Sequence, residues 1–570
     1  MTLAADDPSS APERSTPPPA PVIPGYLDLL AERALVATCL AALVFLFGQI
    51  LLFGHGRDQG IYTVVARTVL EGGMPYRDAW DFKPPGIFLV YALARLLFGS
   101  AQGGIRILEV FGLALMTFGM TRLTLRFWGS RTLGLLAATI SVLVHAQLDF
   151  WHTSQPESFG GMITIAALLC APRKGPSGLP SAAATKARDW VVAGFLFGFA
   201  GLLKPPLVGG AAFVALLPAW WDTDPARPTI ERLRAAARGL VRPSLLLAAG
   251  GAIPIALCAA WFGARGALGD LHRVLFVFTP YYTALGWHGA APTAMFYWAF
   301  TEWFQQYGSV PTIGLLLALG FGLGARERPL ALLALGIAFI HLVGVAMQGK
   351  FFPYHYGATW PLTGLVAALG YHALRKRART RGALGFAGFF LVLLLVPFGR
   401  TATKDVPGSF LVRTQKRLAL VADGLRNQRG LDELASVADV NTVTNRAVAD
   451  LLRSVVPANR PIFVWGFEPS IYDMADRAAA TRYIYNVPQR VAWAKEEHRK
   501  VLLADLEKAP PAAIVVEHYD VFPHVTGDAF DSADSMRDFP EMQRLLDEKY
   551  VHHTSIGQMD VYLEATQGTP

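Results

Sequence analysis

Residues 55–86, HGRDQGIYTVVARTVLEGGMPYRDAWDFKPPG, crowd Arg57, Asp58, Glu71, Arg77, Asp78, Asp81 and Lys83 into one segment behind the first long apolar run. A loop at a membrane surface needs no such concentration of opposed charge to be stable. A pocket that holds a phosphate and removes a proton from an alcohol does need it. A carboxylate within hydrogen-bond reach serves as the base, and a Lys or Arg stabilises an anionic leaving group.

The rest of the chain must place that segment. Of 570 residues, 53% are hydrophobic and only 16% charged, against about 25% charged in soluble domains, which puts the chain in the membrane class. The net charge of +8 is spread between apolar runs, so it reads as a topology signal rather than a nucleic-acid surface. Three cysteines, Cys39, Cys170 and Cys258, each inside an apolar run, leave no disulfide framework and no metal-binding cysteine cluster. The N-terminal residues 1–30, rich in Pro, Ser and Ala, read as a disordered cytoplasmic tail, not a signal peptide.

A spanning helix needs about 20 apolar residues. The runs 33–53, 105–125, 132–148, 158–172, 190–203, 206–221, 244–263, 309–325, 329–347, 356–374 and 383–399 are the candidates, with Lys204-Pro205-Pro206 as a break that could also join two of them into one helix. Segment 86–99 is short, carries Arg95, and is expected to lie on the membrane as an interfacial helix. With that choice and the N-terminus inside, the clusters Arg122/Arg126/Arg131, Arg173/Lys174, Arg232/Arg234/Arg238, Arg326/Arg328 and Arg375/Lys376/Arg377 all fall on the cytoplasmic side. The expectation is an α-helical polytopic membrane protein of about 11 transmembrane helices over residues 31–400, with a first outer loop at 54–104. Residues 401–570 have ordinary charge density and mix short apolar runs with amphipathic helical patterns, which predicts an extracytoplasmic α/β domain.

This topology gathers polar residues at the outer face: Arg57-Asp58 and Lys83 from the first loop, then His145, Asp149, His152 and Glu157, Lys204 at the break, His272, Arg273, Trp287, His288 and Glu302, and finally Lys350, Tyr354 and His355. Ionisable groups at membrane depth are costly and usually face a cavity. Asp222-Thr223-Asp224 reads as a cytoplasmic loop, and no phosphate-cradling glycine motif follows a strand, so a nucleotide-sugar donor is not expected. The histidines lack metal spacing and no metal ligand is assigned, although a lone acid is also compatible with a weakly held divalent cation.

An acid at the start of the first outer loop, K-P-P-G about twenty-five residues later (Lys83 to Gly86), an interfacial helix and a further acid after the third span together resemble the GT-C fold of glycosyltransferase family 39. That family holds the protein O-mannosyltransferases and the lipid A aminoarabinose transferases. The segment W-G-x-x-P-x-I-Y, here Trp465 to Tyr472, is similar to one in the outer domain of bacterial members. A second acid does not follow Asp58, unlike the Asp-Glu pair of the eukaryotic mannosyltransferases. The resemblance implies a bacterial inner-membrane enzyme with a periplasmic C-terminal domain. It implies inverting transfer of a sugar from a polyprenyl-phosphate carrier to a hydroxyl of a lipid, glycan or protein, with no cofactor. By family position Asp58 is the base and Asp149 a second acid. Lys83 is the first phosphate ligand, supported by Arg106 and Lys350. Arg57, His152, Glu157, Lys204, Tyr354 and His355 are possible substrate contacts.

Plainer roles stand beside these. Asp58 would serve as a helix N-cap near Gly60, and Lys83 would snorkel to the interface. Asp149 would cap a span or pair with Arg106. Glu157, following Pro156, suits a helix N-terminus, and Lys204 is either a phosphate ligand or a salt-bridge partner. The rival from another class is a transporter or flippase of lipid-linked sugars, which would carry charges at mid-membrane and show repeats with matching broken helices.

Overall fold

The computed structural model describes residues 25–99, 103–306, 308–396, 409–438 and 441–565. Sixteen α-helices precede the C-terminal part: α1 Tyr26–Ile50, α2 Arg57–Leu70, α3 Gly86–Phe98, α4 Gly103–Trp128, α5 Arg131–Gln147, α6 Pro156–Cys170, α7 Ala187–Leu203, α8 Gly210–Trp221, α9 Thr229–Ala264, α10 Leu268–His272, α11 Thr279–Trp287, α12 Pro292–Gln306, α13 Ser309–Phe321, α14 Arg328–Gln348, α15 Trp360–Arg379 and α16 Gly382–Leu395. Four of them, α1, α4, α9 and α14, are long and apolar enough to cross a membrane. Helix α4 shows why: Phe111, Leu115 and Phe118 point outward while Leu113, Met116 and Met120 are buried. A helix apolar all round has lipid or protein on every side.

Without a hydrophobic drive between helices in lipid, close packing needs small residues. Gly194 and Gly198 of α7 lie against the backbone of Leu247 and Gly251 of α9, and a Cβ on Gly250 would collide with the Val191 carbonyl. At one end of the bundle Arg375 and Arg379 pair with Asp28 at 3.2 and 3.3 Å, and Lys376 with Glu327 at 3.2 Å. That ion pairing makes residues 26–30 helical, where the sequence reading placed tail.

Two other expectations are corrected. Residues 229–243, read as a basic cytoplasmic loop, are the first half of α9. Their Ala, Leu and Arg are strong helix formers, and Arg232 lies 4.2 Å over the Trp220 ring. The long outer loop 264–308 is mostly helical, and Met295, Ala299 and Trp303 of α12, four residues apart, are buried. Pro205–Gly209 forms a short 3-10 turn separating α7 from α8.

A hairpin of β1 (Arg173–Lys174) and β2 (Pro180–Ser181) closes one loop. The C-terminal part comprises α17 Phe410–Gly424, α18 Gln428–Ala435 and α19 Thr442–Val455. Beyond them lies a four-stranded sheet of β3 Ile462–Trp465, β4 Ala513–Glu517, β5 Tyr550–Ile556 and β6 Met559–Glu564 in the order β3-β4-β6-β5. Strands β3 and β4 run parallel, with Ile462 opposite Ala513. Their crossover holds α20 Ser470–Ala475, α21 Val487–Arg490 and α22 Lys495–Lys508, as parallel neighbours require. The wholly buried β3 and β4 were legible as apolar runs. The edge strand β5, exposing His552 and His553, was not.

Candidate active site

Helix α2 opens at Gly56, which puts Arg57 and Asp58 in its first turn. Gln59 anchors that turn by donating to the carbonyls of Phe150 and Thr153 at 2.7 and 2.9 Å. The following loop is held by the Tyr76 hydroxyl, which donates to the Lys83 carbonyl at 2.8 Å. These restraints leave the Lys83 ammonium 3.4 Å from the Asp58 carboxylate and 3.5 Å from the Tyr354 hydroxyl. The Lys83 side chain is 10% exposed and that of Asp58 28%. Burial works against the Lys83 ammonium, but Asp58 and then Asp81 outweigh it and push its pKa up. Asp81 is buried; one carboxylate oxygen accepts from the Tyr485 hydroxyl at 2.8 Å and the other has no hydrogen-bond partner. Burial raises the Asp81 pKa although Lys83 opposes it.

These groups line a cavity of about 240 Å³. Arg57, Asp58, Asp81 and Lys83 form its charged side, and Phe82, Phe150, Trp151, Tyr282, Phe352 and Tyr354 its aromatic walls. Phe467, Tyr485, Phe522 and Val525 cover it from the C-terminal part. Arg57 ties that cover down, 3.2 Å from Glu468 and 3.6 Å from Glu517, with its guanidinium 4.9 Å from the Phe522 ring centroid. Burial, followed by the charges of Glu468 and Asp520, holds the Glu517 carboxyl well above its ordinary range. Burial likewise pushes Asp520 up to about 6.

Several residues assigned from sequence stand outside the cavity. Arg106 is fully buried and donates to the Phe53 and Gly54 carbonyls, to Glu109, and to the hydroxyls of Thr153 and Ser154. It shapes the loop behind Asp58 rather than facing a phosphate. Asp149, expected as a second acid or as a partner of Arg106, is fully buried against Arg417 at 2.7 Å and Arg413 at 3.5 Å. Its φ of +52°, a region Asp tolerates better than most residues, turns the chain so that Phe150 and Trp151 reach the cavity wall. Lys350 donates to the His524 carbonyl at 2.6 Å and lies 4.2 Å over the Tyr282 ring; burial pushes its pKa down to about 8. It ties the cover to the aromatic wall instead of entering the cavity.

The remaining candidates divide. Arg57 and Tyr354 line the cavity. Lys204 pairs with Glu157 at 2.8 Å. His152 lies between the rings of His145 and Trp360, at 4.6 and 6.0 Å. His355 packs on Tyr354 at 4.6 Å. Burial, then Lys204, Lys83 and Lys350, hold the His355 pKa well below its ordinary value, so it is neutral beside the cation cluster. Among the described residues no group of three or more His, Cys, Asp or Glu converges as a metal site. Sequence reasoning missed Tyr282, Tyr485, Glu468, Glu517, Arg413 and Arg417. No local spacing links Tyr485 to Asp81, 404 residues earlier, or Arg417 to Asp149.

A helical bundle whose first loop carries the acid and lysine, roofed by a C-terminal α/β layer, is the GT-C fold. Two crystal structures of ArnT from Cupriavidus metallidurans share it, one bound to undecaprenyl phosphate and one in the apo state, with TM-scores of 0.54 and 0.51. Each is 16% identical in sequence, and the alignments cover 93% of this chain and 98% of that one. No protein-family model matches the chain, and no curated protein matches it in sequence.

Proposed function

We propose that the chain is an inner-membrane glycosyltransferase that moves a sugar from a polyprenyl-phosphate carrier to a hydroxyl on a lipid, glycan or protein at the outer membrane face. The observation that carries this reading is the Asp58–Lys83 pair in a covered aromatic cavity. The shared fold with a protein crystallised with undecaprenyl phosphate supports the donor class. The grouping of the Asp28–Arg375 and Glu327–Lys376 pairs at the end of the bundle away from the cavity supports an N-terminus inside and a cover outside.

In this reading the donor phosphate takes Lys83 from Asp58, to which the ammonium is held only loosely at 3.4 Å. The freed carboxylate accepts the acceptor hydroxyl proton as that oxygen attacks the anomeric carbon. The bond from carbon to phosphate oxygen breaks with inversion, and the leaving phosphate keeps its electron pair beside Lys83. Phosphate needs no proton to leave, so one carboxylate suffices. The charges sit together at one end of the bundle, which favours catalysis there over passage through the membrane.

The test is transfer from a panel of undecaprenyl-phosphate sugars by purified protein. Asp58→Asn is expected to lower kcat by about two decades or more while leaving binding of undecaprenyl phosphate intact. Transfer unchanged by Asp58→Asn removes Asp58 as the base. Donor movement across liposomes without transfer points to a flippase instead.

A further inference from the structure

A second cavity, of about 190 Å³, opens beside the first between the outer loops and the C-terminal cover. The two share a wall: the Phe278 ring lies 4.9 Å from Trp80, which faces the second cavity, and 6.0 Å from Phe82, which faces the first. Trp493 lies 5.7 Å from that same Phe278 ring and stacks on Tyr281 with ring planes 20° apart. The Trp493 indole N–H is shielded and has no hydrogen-bond partner. One wall is a π-helix, Arg273–Phe278, a rare conformation frequent at functional sites. The charged groups at the cavity balance, with Arg273 and Arg482 against Asp270 and Glu497.

Resting on the transferase reading, we infer that this second cavity is a saccharide subsite holding one ring of the acceptor glycan. Aromatic faces carry negative π density and cover the C–H face of a pyranose. The balanced charged side chains meet hydroxyls without selecting a charged group. At about 190 Å³ the cavity is smaller than the first, at about 240 Å³, and a single ring is the occupant proposed for it. Its place beside the donor cavity lets one glycan reach from the subsite to Asp58.

The experiment is saturation-transfer NMR on the full chain in lauryldimethylamine oxide micelles, which carry no sugar. Methyl β-glucoside, methyl α-mannoside and N-acetylglucosamine are the probes, and undecaprenyl phosphate binding is measured on the same samples. At least one probe is expected to receive saturation from wild type, with the signal falling about fivefold or more in Trp493→Ala and in Tyr281→Ala and staying unchanged in Asp58→Asn. Thermal melts confirm that the variants are folded; if Trp493→Ala is not, Tyr281→Ala at the exposed ring decides. No saturation of any probe, or a signal indifferent to both folded variants, overturns the subsite. Undecaprenyl phosphate binding without sugar binding sinks only the subsite; sugar binding without lipid-phosphate binding sinks only the donor reading.

Discussion

Burial works against the Lys83 ammonium, and the charges of Asp58 and then Asp81 raise its pKa. In the proposed reading, a phosphate entering the cavity meets the Lys83 ammonium and replaces one carboxylate partner by another oxyanion. Lys83→Met keeps the stem and removes the charge. Losing one charge-assisted contact costs about 1.5–3 kcal/mol, so undecaprenyl phosphate is expected to bind about tenfold or more weakly, measured by titration in detergent. Lys83→Arg recovers part of the loss. Equal affinity in Lys83→Met would remove Lys83 from the phosphate site. The loop residues Asp58 and Lys83 were legible because opposed charges in an apolar chain have few uses. Asp149 and Arg106 were legible as unusual, and a structural role was open for Asp149, but the partners they take, Arg413 and Arg417 for Asp149 and Thr153 and Ser154 for Arg106, were not.

At the scale of elements, α7 and α9 approach until backbone touches backbone at Gly194, Gly198 and Gly250. Gly250→Leu has no room, because the added carbons run into the Val191 carbonyl. Overpacking of this kind costs about 1–3 kcal/mol or more, and a melting temperature lower by several degrees is expected. Gly48→Ala in α1, where a Cβ meets nothing within 4 Å, is the matched control and should melt with wild type. If both variants melt alike, close α7–α9 packing is not what holds that part of the bundle. Helices of this kind were readable from apolar length alone. Helix α12 was not, because it lies in the segment read as an outer loop; its Trp303 is buried, with the indole donating to the Thr359 hydroxyl at 3.0 Å.

For the whole molecule, the decisive feature is how the C-terminal part is held over the cavity. Arg57 reaches up to Glu468 and Glu517, Arg95 pairs with Asp473 at 2.6 Å, and Arg67 with Asp476 at 3.1 Å. Behind them Arg413 and Arg417 of α17 close on Asp149. Beside the Arg57–Glu517 contact, Asp520 has its pKa raised by burial to about 6. A carboxyl whose folded pKa exceeds its unfolded value contributes stability that is complete below the unfolded pKa and lost as pH rises through the folded one. Raising the pH from about 4 to about 7 should thus cost wild type more melting temperature than Asp520→Asn, read by paired thermal scans. Parallel curves would show that Asp520 titrates alike in both states.

The sequence by itself determined what depends on local chemistry and on length. That includes the membrane class, the position of most apolar helices, the short helix at 86–98, the two buried strands of the cover and the Asp58–Lys83 segment. Each follows from a run or a spacing that a short window contains. The tertiary structure alone decided which charges stand in the cavity and which are consumed in holding it. Arg106, Asp149, Lys204 and Lys350 carry the same residue chemistry as Lys83 and Asp58, but distant partners neutralise or occupy them. Tyr485 and Phe522 become cavity wall only because the C-terminal sheet folds back on the first loop. Burial and pairing set the role of a charge, and both are properties of the packed chain.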